Sequence, residues 1–255
     1  MRKIKFILVL LLPFILTGCK GDDIRNFRSV GYDLNGINFK CKFVSSFKFL
    51  EDNFAVGDDN KLYLLSFGLI FLNKNNCKVI DDDLRVSSIY NNNYLKMTNG
   101  EIYEIKDNKL ALVSSSDKKN VSGVLNEINF LKAIEYGNYV YVLKNDGNVY
   151  QYVMKQNDLN TTLVLNKIIF DSNQYGKIVD FGYYDNEIIY IKSENKYYTN
   201  QITNPECLKY ADVDCIYQIQ EDKYLNKYKN NIFGYNGSKL ILNDGKLLSF
   251  SSQAG

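Results

Sequence analysis

The side chains that could carry chemistry in this sequence are carboxylates, tyrosines and cysteines, because the chain of 255 residues contains no histidine. Histidine is the commonest general base and metal ligand, so its absence excludes the usual serine and cysteine triads. Neither Gly-x-Gly-x-x-Gly nor Gly-x-x-x-x-Gly-Lys occurs, so no glycine-rich phosphate loop is expected. Two carboxylates could still act as the acid and base of a glycan hydrolase, but no motif pairs particular ones.

A metal or other cofactor is not expected. Asp81, Asp82 and Asp83 are consecutive, whereas a calcium loop alternates its oxygen ligands and usually contains a glycine. We therefore interpret this run as a solvated turn. The spacing of the cysteines and the lack of histidine do not fit a zinc site.

Five cysteines occur, and four of them lie beyond Cys19. An even number of cysteines in an exported chain permits disulfides, here in three connectivities. Cys207 and Cys215 enclose a short loop and are the favoured pair, which leaves Cys41 and Cys77. Free, buried cysteines are the alternative.

The N-terminus reads as an export signal. Three basic residues precede an eleven-residue apolar run, Phe6–Leu16, and this run is too short for a spanning helix, which needs roughly 20 residues. The following segment, Leu16-Thr17-Gly18-Cys19, resembles the lipobox of bacterial lipoproteins. That resemblance implies cleavage after Gly18 and a lipid on Cys19, which would bind the membrane. An ordinary secretory signal or a signal anchor is the alternative.

These features divide the chain into three parts: a signal peptide over 1–18, a lipidated cysteine and polar tether over 19–29, and a β-rich domain over 30–255. Lys20 follows the lipidated cysteine. In bacteria with two membranes, the lipoproteins kept in the inner membrane carry aspartate there, so the outer membrane is the favoured location within the cell envelope.

Charge excludes one class of partner. The chain has 31 basic and 29 acidic residues, and removal of 1–18 discards three basic ones, leaving a net charge near −1. A near-neutral chain without a long basic run has no electrostatic footprint for nucleic acid.

One phrase recurs along the β-rich part: an apolar strand, a turn of the Asn-Gly or Asp-Gly kind, and a second strand that opens with an apolar residue and often tyrosine. Such turns favour β-hairpins of type I′, which need positive φ at both central residues. The turns are centred at five positions: Asn60, Gly100, Gly147, Asn195 and Gly245.

Further strand-like runs lie between the hairpins, giving about four strands in each unit of 40–50 residues. A four-stranded sheet cannot bury both faces alone, so neighbouring units must stack. The sequence therefore predicts an all-β fold, a β-propeller of about five four-stranded blades, or six if one hairpin is degenerate. The segment 36–43 is expected to pair with the C-terminal strands and close the ring. A short helix is expected within 121–128, and an irregular β-sandwich or solenoid is the rival architecture.

The third copy of the phrase, Tyr139–Tyr152, resembles the RCC1-like propeller repeat, in which an apolar strand, an Asp-Gly turn, Val-Tyr and an aromatic follow in order. The copies at 99–103 and 243–247 match more loosely. The Trp-Gly pair, the histidine and the Leu-Gly stretch of that family are missing. The resemblance implies a propeller and carries no activity with it.

The function expected from these observations is that of a non-enzymatic, membrane-anchored lipoprotein whose propeller binds a protein or glycan partner. An exported glycan hydrolase that uses a pair of carboxylates is the alternative. Most tyrosines alternate within predicted strands and should pack between blades, while a few could line a binding face.

Overall fold

The computed structural model describes residues 32–39, 41, 44–65, 77–106, 109–113, 129–157, 160–184, 187–202 and 217–249. Strands dominate these ranges and the helices are short, so the all-β prediction is confirmed. The strands form antiparallel meanders in chain order. The described residues do not include the predicted signal peptide, Cys19, the tether or the helix expected within 121–128.

Four of the meanders are continuous in sequence. Meander 1 comprises β2 (Phe47–Leu50), β3 (Phe54–Gly57), β4 (Leu62–Leu65) and β5 (Cys77–Val79). Meander 2 comprises β6 (Val86–Tyr90), β7 (Tyr94–Met97), β8 (Ile102–Lys106) and β9 (Lys109–Leu112). Meander 3 comprises β10 (Lys132–Tyr136), β11 (Tyr139–Leu143), β12 (Val149–Asn157) and β13 (Asn160–Phe170). Meander 4 follows helix α1 (Ser172–Tyr175) and comprises β14 (Ile178–Tyr184), β15 (Glu187–Ser193), β16 (Tyr197–Ile202) and β17 (Tyr217–Glu221).

Meander 5 joins the two ends of the chain. Helix α2 (Lys223–Tyr228) and a 3₁₀ turn (Lys229–Asn231) lead into β18 (Ile232–Tyr235), β19 (Lys239–Leu242) and β20 (Lys246–Ser249). The fourth strand is β1 (Tyr32–Asn38), which pairs antiparallel with β20. The expected pairing of N- and C-terminal strands is therefore present, but β1 begins four residues earlier than the segment 36–43.

The first strands of meanders 2 and 3 lie side by side. β6 and β10 pair in parallel through Ile89 with Lys132 and Tyr90 with Ala133, which joins these two meanders into one eight-stranded sheet. The remaining meanders are separate four-stranded sheets, so packing of side chains, rather than strand pairing, must hold most neighbours together.

Five hydrophobic clusters form the core, and each takes residues from two meanders. Val56 and Leu95 share a cluster between meanders 1 and 2, and the next three clusters link 2 with 3, 3 with 4 and 4 with 5. The fifth joins Ile241 and Leu247 of meander 5 to Phe47 and Tyr63 of meander 1. The last meander thus packs against the first.

Four of the predicted turns share one geometry. Asn60, Gly100, Gly147 and Gly245 have φ of 60°, 86°, 81° and 88°, and each N–H bonds to the carbonyl three residues earlier at 2.9–3.0 Å. Only one residue in each turn has a left-handed conformation. This pattern defines a type I turn followed by a bulge residue. The predicted type I′ geometry is therefore wrong. Asn195 lies in the β15–β16 turn without a positive φ, and Ser193 Oγ accepts the Lys196 N–H there instead.

The residue before each of these left-handed positions explains the turn type. Asp59, Asn99, Asp146 and Asp244 each accept, through Oδ1, the N–H of the residue two positions later at 3.0 Å. This local bond favours the type I conformation over type I′. In two turns a tyrosine four residues on donates to the second carboxylate oxygen, as Tyr150 does to Asp146 at 2.5 Å and Tyr63 to Asp59 at 2.8 Å. The recurring tyrosine of the sequence phrase thus fastens the turn.

Three of the same turns also bond to the neighbouring meander. The carbonyl of Asn60 accepts the N–H of Val86 at 2.8 Å, and that of Gly147 accepts the N–H of Ile178 at 3.0 Å. Val86 and Ile178 are the first residues of β6 and β14, the strands that begin meanders 2 and 4. The carbonyl of Gly245 accepts the N–H of Phe39 at 2.8 Å, on the segment that leads into meander 1.

Replacement of Gly147 by valine tests this arrangement. A Cβ at Gly147 would lie 2.9 Å from Lys177 Cα and 3.1 Å from Ile178 N, so Gly147→Val should lower the free energy of unfolding by about 2–3 kcal/mol through left-handed strain and overpacking. Gly100→Val is the matched control, because it has the same φ but an open surrounding, and it should cost less in urea denaturation. Equal losses would contradict the packing of this turn on β14.

Candidate functional site

A buried ionic cluster lies where the first strands of three meanders meet. Lys132 of β10 donates to Glu51 at 2.7 Å and to Asp180 of β14 at 3.2 Å, and Glu51 directly follows β2. Tyr190 donates its hydroxyl to the second oxygen of Asp180 at 2.8 Å, and the Phe181 N–H donates to the first. Every charged member therefore has a partner, as buried charges require.

The electrostatics of this cluster favour a charged lysine. Burial acts to lower the pKa of Lys132, but Asp180 and Glu51 outweigh it and raise that pKa above its usual range. Burial raises the pKa of Glu51, and Lys132 opposes the rise. Burial also lowers the pKa of Lys192. This residue lies opposite Asp180 in the register of β14 and β15.

The two carboxylates do not match the acid and base of a glycosidase in this structure. Glu51 is 8 % exposed and Asp180 1 %, so substrate in solvent cannot reach the pair, and Lys132 stands between them. A glycosidase needs two carboxyls that flank a bond of the bound sugar. The cluster instead ties meanders 1, 3 and 4 together.

An aromatic surface occurs at the tip of the β10–β11 hairpin. Tyr136 and Tyr139 face each other across the turn at Gly137 and Asn138, and their side chains are 45 % and 41 % exposed. The ring of Tyr183, from β14, lies 5.7 Å from the ring of Tyr136 between centroids. A group of neighbouring exposed aromatic side chains can mark a site of interaction.

The β6–β7 turn of meander 2 contacts the other side of the same hairpin through Glu135. The hydroxyl of Tyr90 donates to Glu135, and the Glu135 N–H donates to Asn91 Oδ1 at 2.6 Å. The ring of Tyr94 lies 6.2 Å from that of Tyr90. Burial and the bond to Glu135 raise the pKa of Tyr90 well above its usual range, so this hydroxyl remains a donor.

We define the tyrosine surface as Tyr94, Tyr136, Tyr139 and Tyr183 together with the turn residues Asn91 and Asn138. Tyr136 and Tyr139 lie on the side of the hairpin that faces Tyr183 of meander 4, and Asn91 and Tyr94 lie on the side that faces meander 2, so Asn138 at the tip is the residue between the two sides. The turns add amide groups to the aromatic faces, and amides donate and accept hydrogen bonds without charge. This combination can bind an uncharged, hydroxyl-rich ligand by stacking and hydrogen bonding.

A cavity of about 250 Å³ lies elsewhere, between helix α1 and the β15–β16 turn. The rings of Tyr175 and Tyr198 form part of its lining and meet edge to face at 5.1 Å. Lys177 and Glu194 form an exposed ion pair at 3.4 Å on the same lining. The cavity is polar at its rim and lacks the half-exposed aromatic faces of the tyrosine surface.

The structure places only some of the predicted site residues. The lipidation site, Cys19, and the favoured disulfide pair, Cys207 and Cys215, lie outside the described residues. Cys41 and Cys77 form a disulfide, with Cα atoms 5.2 Å apart. The leftover pair of the sequence argument is therefore bonded, and it ties the segment after β1 to β5.

The acidic run at 81–83 forms a turn that is held by local bonds. Asp82 pairs with Lys61 at 2.6 Å, and Asp81 Oδ1 accepts the Asp83 N–H at 2.8 Å. Within the described ranges, no group of three or more His, Cys, Asp or Glu side chains is arranged to hold a metal ion. Among these residues there is also no helix long and apolar enough to span a membrane.

Only one short motif in the sequence indicates the tyrosine surface. Its signal is the tetrapeptide Tyr136-Gly137-Asn138-Tyr139, a turn with an aromatic on either side.

A comparison with protein-family models finds no match, and a comparison with curated proteins finds none either. The function must therefore be argued from the geometry alone.

Proposed function

We propose that this chain is an exported lipoprotein, anchored through Cys19, whose β domain is a five-bladed propeller that binds an uncharged glycan through the tyrosine surface. The observation that carries the proposal is the pair of half-exposed rings of Tyr136 and Tyr139, backed by Tyr183. The scaffold itself would be non-enzymatic.

The propeller is supported by the cyclic order of contacts. Each meander shares a core cluster with the next, and the fifth cluster returns from meander 5 to meander 1. The bond from Phe39 N to the Gly245 carbonyl repeats, at that junction, the bonds made by Asn60 and Gly147. A sandwich would bury its core between only two sheets. A solenoid would leave its first and last repeats unpaired.

The lipid anchor is supported by the resemblance of residues 16–19 to a lipobox, and it is tested separately. Cys19→Ser should abolish incorporation of labelled fatty acid and release the protein from membranes, because the chain then has no acyl group to bury. Cys207→Ser is the matched control and should keep the label. Continued labelling of Cys19→Ser would contradict the anchor.

The choice of a glycan follows from the chemistry of the surface. Sugar rings present apolar C–H faces and many hydroxyls, which match aromatic faces flanked by amides such as those of Asn91 and Asn138. The near-neutral mature chain adds no long-range attraction for a strongly charged polymer. A tyrosine side chain also loses little conformational entropy on binding, because it has few rotatable bonds.

The double variant Tyr136→Ala/Tyr139→Ala should lose binding to neutral oligosaccharides by at least about tenfold, measured by calorimetry on hits from a glycan panel. Loss of about 1.4 kcal/mol corresponds to that factor, and two stacking rings can supply it. The substitutions are at exposed positions, so the free energy of unfolding should change little.

Two controls make this measurement specific. Tyr136→Phe keeps the ring and should retain most of the affinity. Leu112→Ala alters a side chain on β9 that is more exposed than either tyrosine and should have no effect. Undiminished binding by the double variant would contradict the proposed site. Release of new reducing ends during incubation would instead favour the hydrolase alternative.

A further inference from the structure

The outer strand of meander 3 differs from the other outer strands. β13 has 11 residues, whereas β1, β5, β9 and β17 have seven, three, four and five. It is the last strand of its sheet within the described part of the chain. An edge strand of this length presents a long row of backbone donors and acceptors to solvent.

The exposed side chains of β13 are largely apolar. Val164, Leu165 and Ile168 are 43 %, 52 % and 47 % exposed, and they are half of the large hydrophobic side chains exposed among the described residues. By contrast, the exposed positions of β17 are Gln218, Gln220 and Glu221. Proteins usually protect an edge with charges, bulges or shortness, and β13 is less protected than β17 by its length and by the side chains it exposes.

The bulges of this hairpin protect only one half of the edge. The pairing of β12 with β13 is irregular between Val149 and Tyr150 and again between Gln151 and Tyr152. From Tyr152 with Leu165 to Asn157 with Asn160, the register is continuous. The regular half therefore contains Val164 and Leu165, and it is suited to receive another strand.

Charge and area decide between the occupants of this edge. The exposed charges of the hairpin in the described residues are Lys155 and Lys167, so a second copy would bring like charges together across the new strand pair. Three half-exposed aliphatic side chains also fall far short of the roughly 800 Å² per partner of a standard interface. Both points favour a single extended segment with acidic side chains.

We propose that the outer edge of β13 docks an extended segment of a partner protein, with alternating apolar and acidic residues, which adds to meander 3 as a further strand. Main-chain bonds would supply the general affinity and contact with Leu165 on one face of the strand the apolar part. Lys155 and Lys167 on the opposite face, which they share with Val164, would supply the preference for acidic side chains. This site is separate from the tyrosine surface and does not depend on the glycan.

The test uses the purified protein and fluorescent eight-residue peptides. A peptide that alternates valine and glutamate should bind saturably in fluorescence anisotropy, while a peptide with lysine in place of glutamate should bind at least about tenfold more weakly. Leu165→Glu and Val164→Glu should each weaken binding of the acidic peptide at least about tenfold. Lys167→Glu should weaken the acidic peptide and strengthen the lysine peptide. Leu112→Glu, on the short outer strand β9, is the matched control and should change neither.

Four results would overturn the proposal. They are the absence of saturable binding by the folded protein, equal affinity for a peptide interrupted by proline, equal effects of Leu165→Glu and Leu112→Glu, and sedimentation as a dimer that Leu165→Glu disrupts. Proline is informative because it lacks the N–H that a paired strand needs. Circular dichroism of each variant confirms that the fold is retained, and either of the two apolar positions suffices for the test.

Discussion

Replacement of Lys132 by methionine should lower the free energy of unfolding by about 3–5 kcal/mol. The side chain is 1 % exposed and is the ion-pair partner of both Glu51 and Asp180. Methionine fills a similar volume, so the loss reflects charge rather than a cavity. Two buried carboxylates would be left without a counter-charge, which is among the most destabilising changes in a protein interior. Urea denaturation at pH 7 measures the effect.

The triple variant Lys132→Met/Glu51→Gln/Asp180→Asn is the control, because it removes the three charges together. It should recover most of the lost stability, since neutral amides can retain hydrogen bonds in the cluster. A loss in the triple variant equal to that of Lys132→Met alone would show that the lysine acts by packing, and would contradict the electrostatic account.

The Lys132→Met defect should also depend on pH. Burial already raises the pKa of Glu51 above its usual value of 4.5, and removal of Lys132 takes away the main opposing influence. A carboxyl with a raised folded-state pKa favours the folded state most when protonated, below its unfolded pKa, and this contribution is lost as pH rises through the folded pKa. The stability gap between wild type and variant should therefore narrow as pH falls towards 4.5.

Replacement of Cys41 and Cys77 by serine should cost about 3–4 kcal/mol in oxidising buffer, because the disulfide closes a loop of 36 residues in the unfolded chain. Their Cα separation of 5.2 Å is ordinary for a disulfide. The difference in stability between the wild type and the double serine variant should disappear in reducing buffer, because only the wild type has this bridge to lose. Unchanged stability of the variant under oxidising conditions would contradict the bridge.

The hairpins could be predicted from sequence because their signals are local. The Asp-Gly and Asn-Gly pairs mark the turns at Gly100, Gly147 and Gly245, and alternation marks the strands beside them. The predicted turn type was wrong because side-chain bonds decide it. Asp146, for example, accepts hydrogen bonds from the Asn148 N–H and from the Tyr150 hydroxyl. The apolar runs at 163–165 and 168–170 are separated by two polar residues in the sequence but belong to one strand, β13.

The ionic cluster could not be predicted in the same way. Glu51, Lys132 and Asp180 are far apart in sequence, and each occupies a position where an isolated charge would suggest solvent exposure. Only the packing of three meanders brings them together. Helix α2 was missed although Asp222 caps it, accepting the Leu225 N–H at 2.8 Å, because its six residues are too few to show a helical period.

The pairing of β1 with β20 sets the order in which the domain can be completed. A chain that emerges from a ribosome or a translocation channel presents its N-terminal part first, so β1 appears before the other described strands and its partner β20 after them. Meanders 1 to 4 can each form as their own strands emerge, while β1 waits without its partner. Closure of meander 5 is therefore the longest-range event in folding and the one expected to be slowest. The strand nearest the N-terminus thus becomes part of the fold only when nearly the whole chain is present.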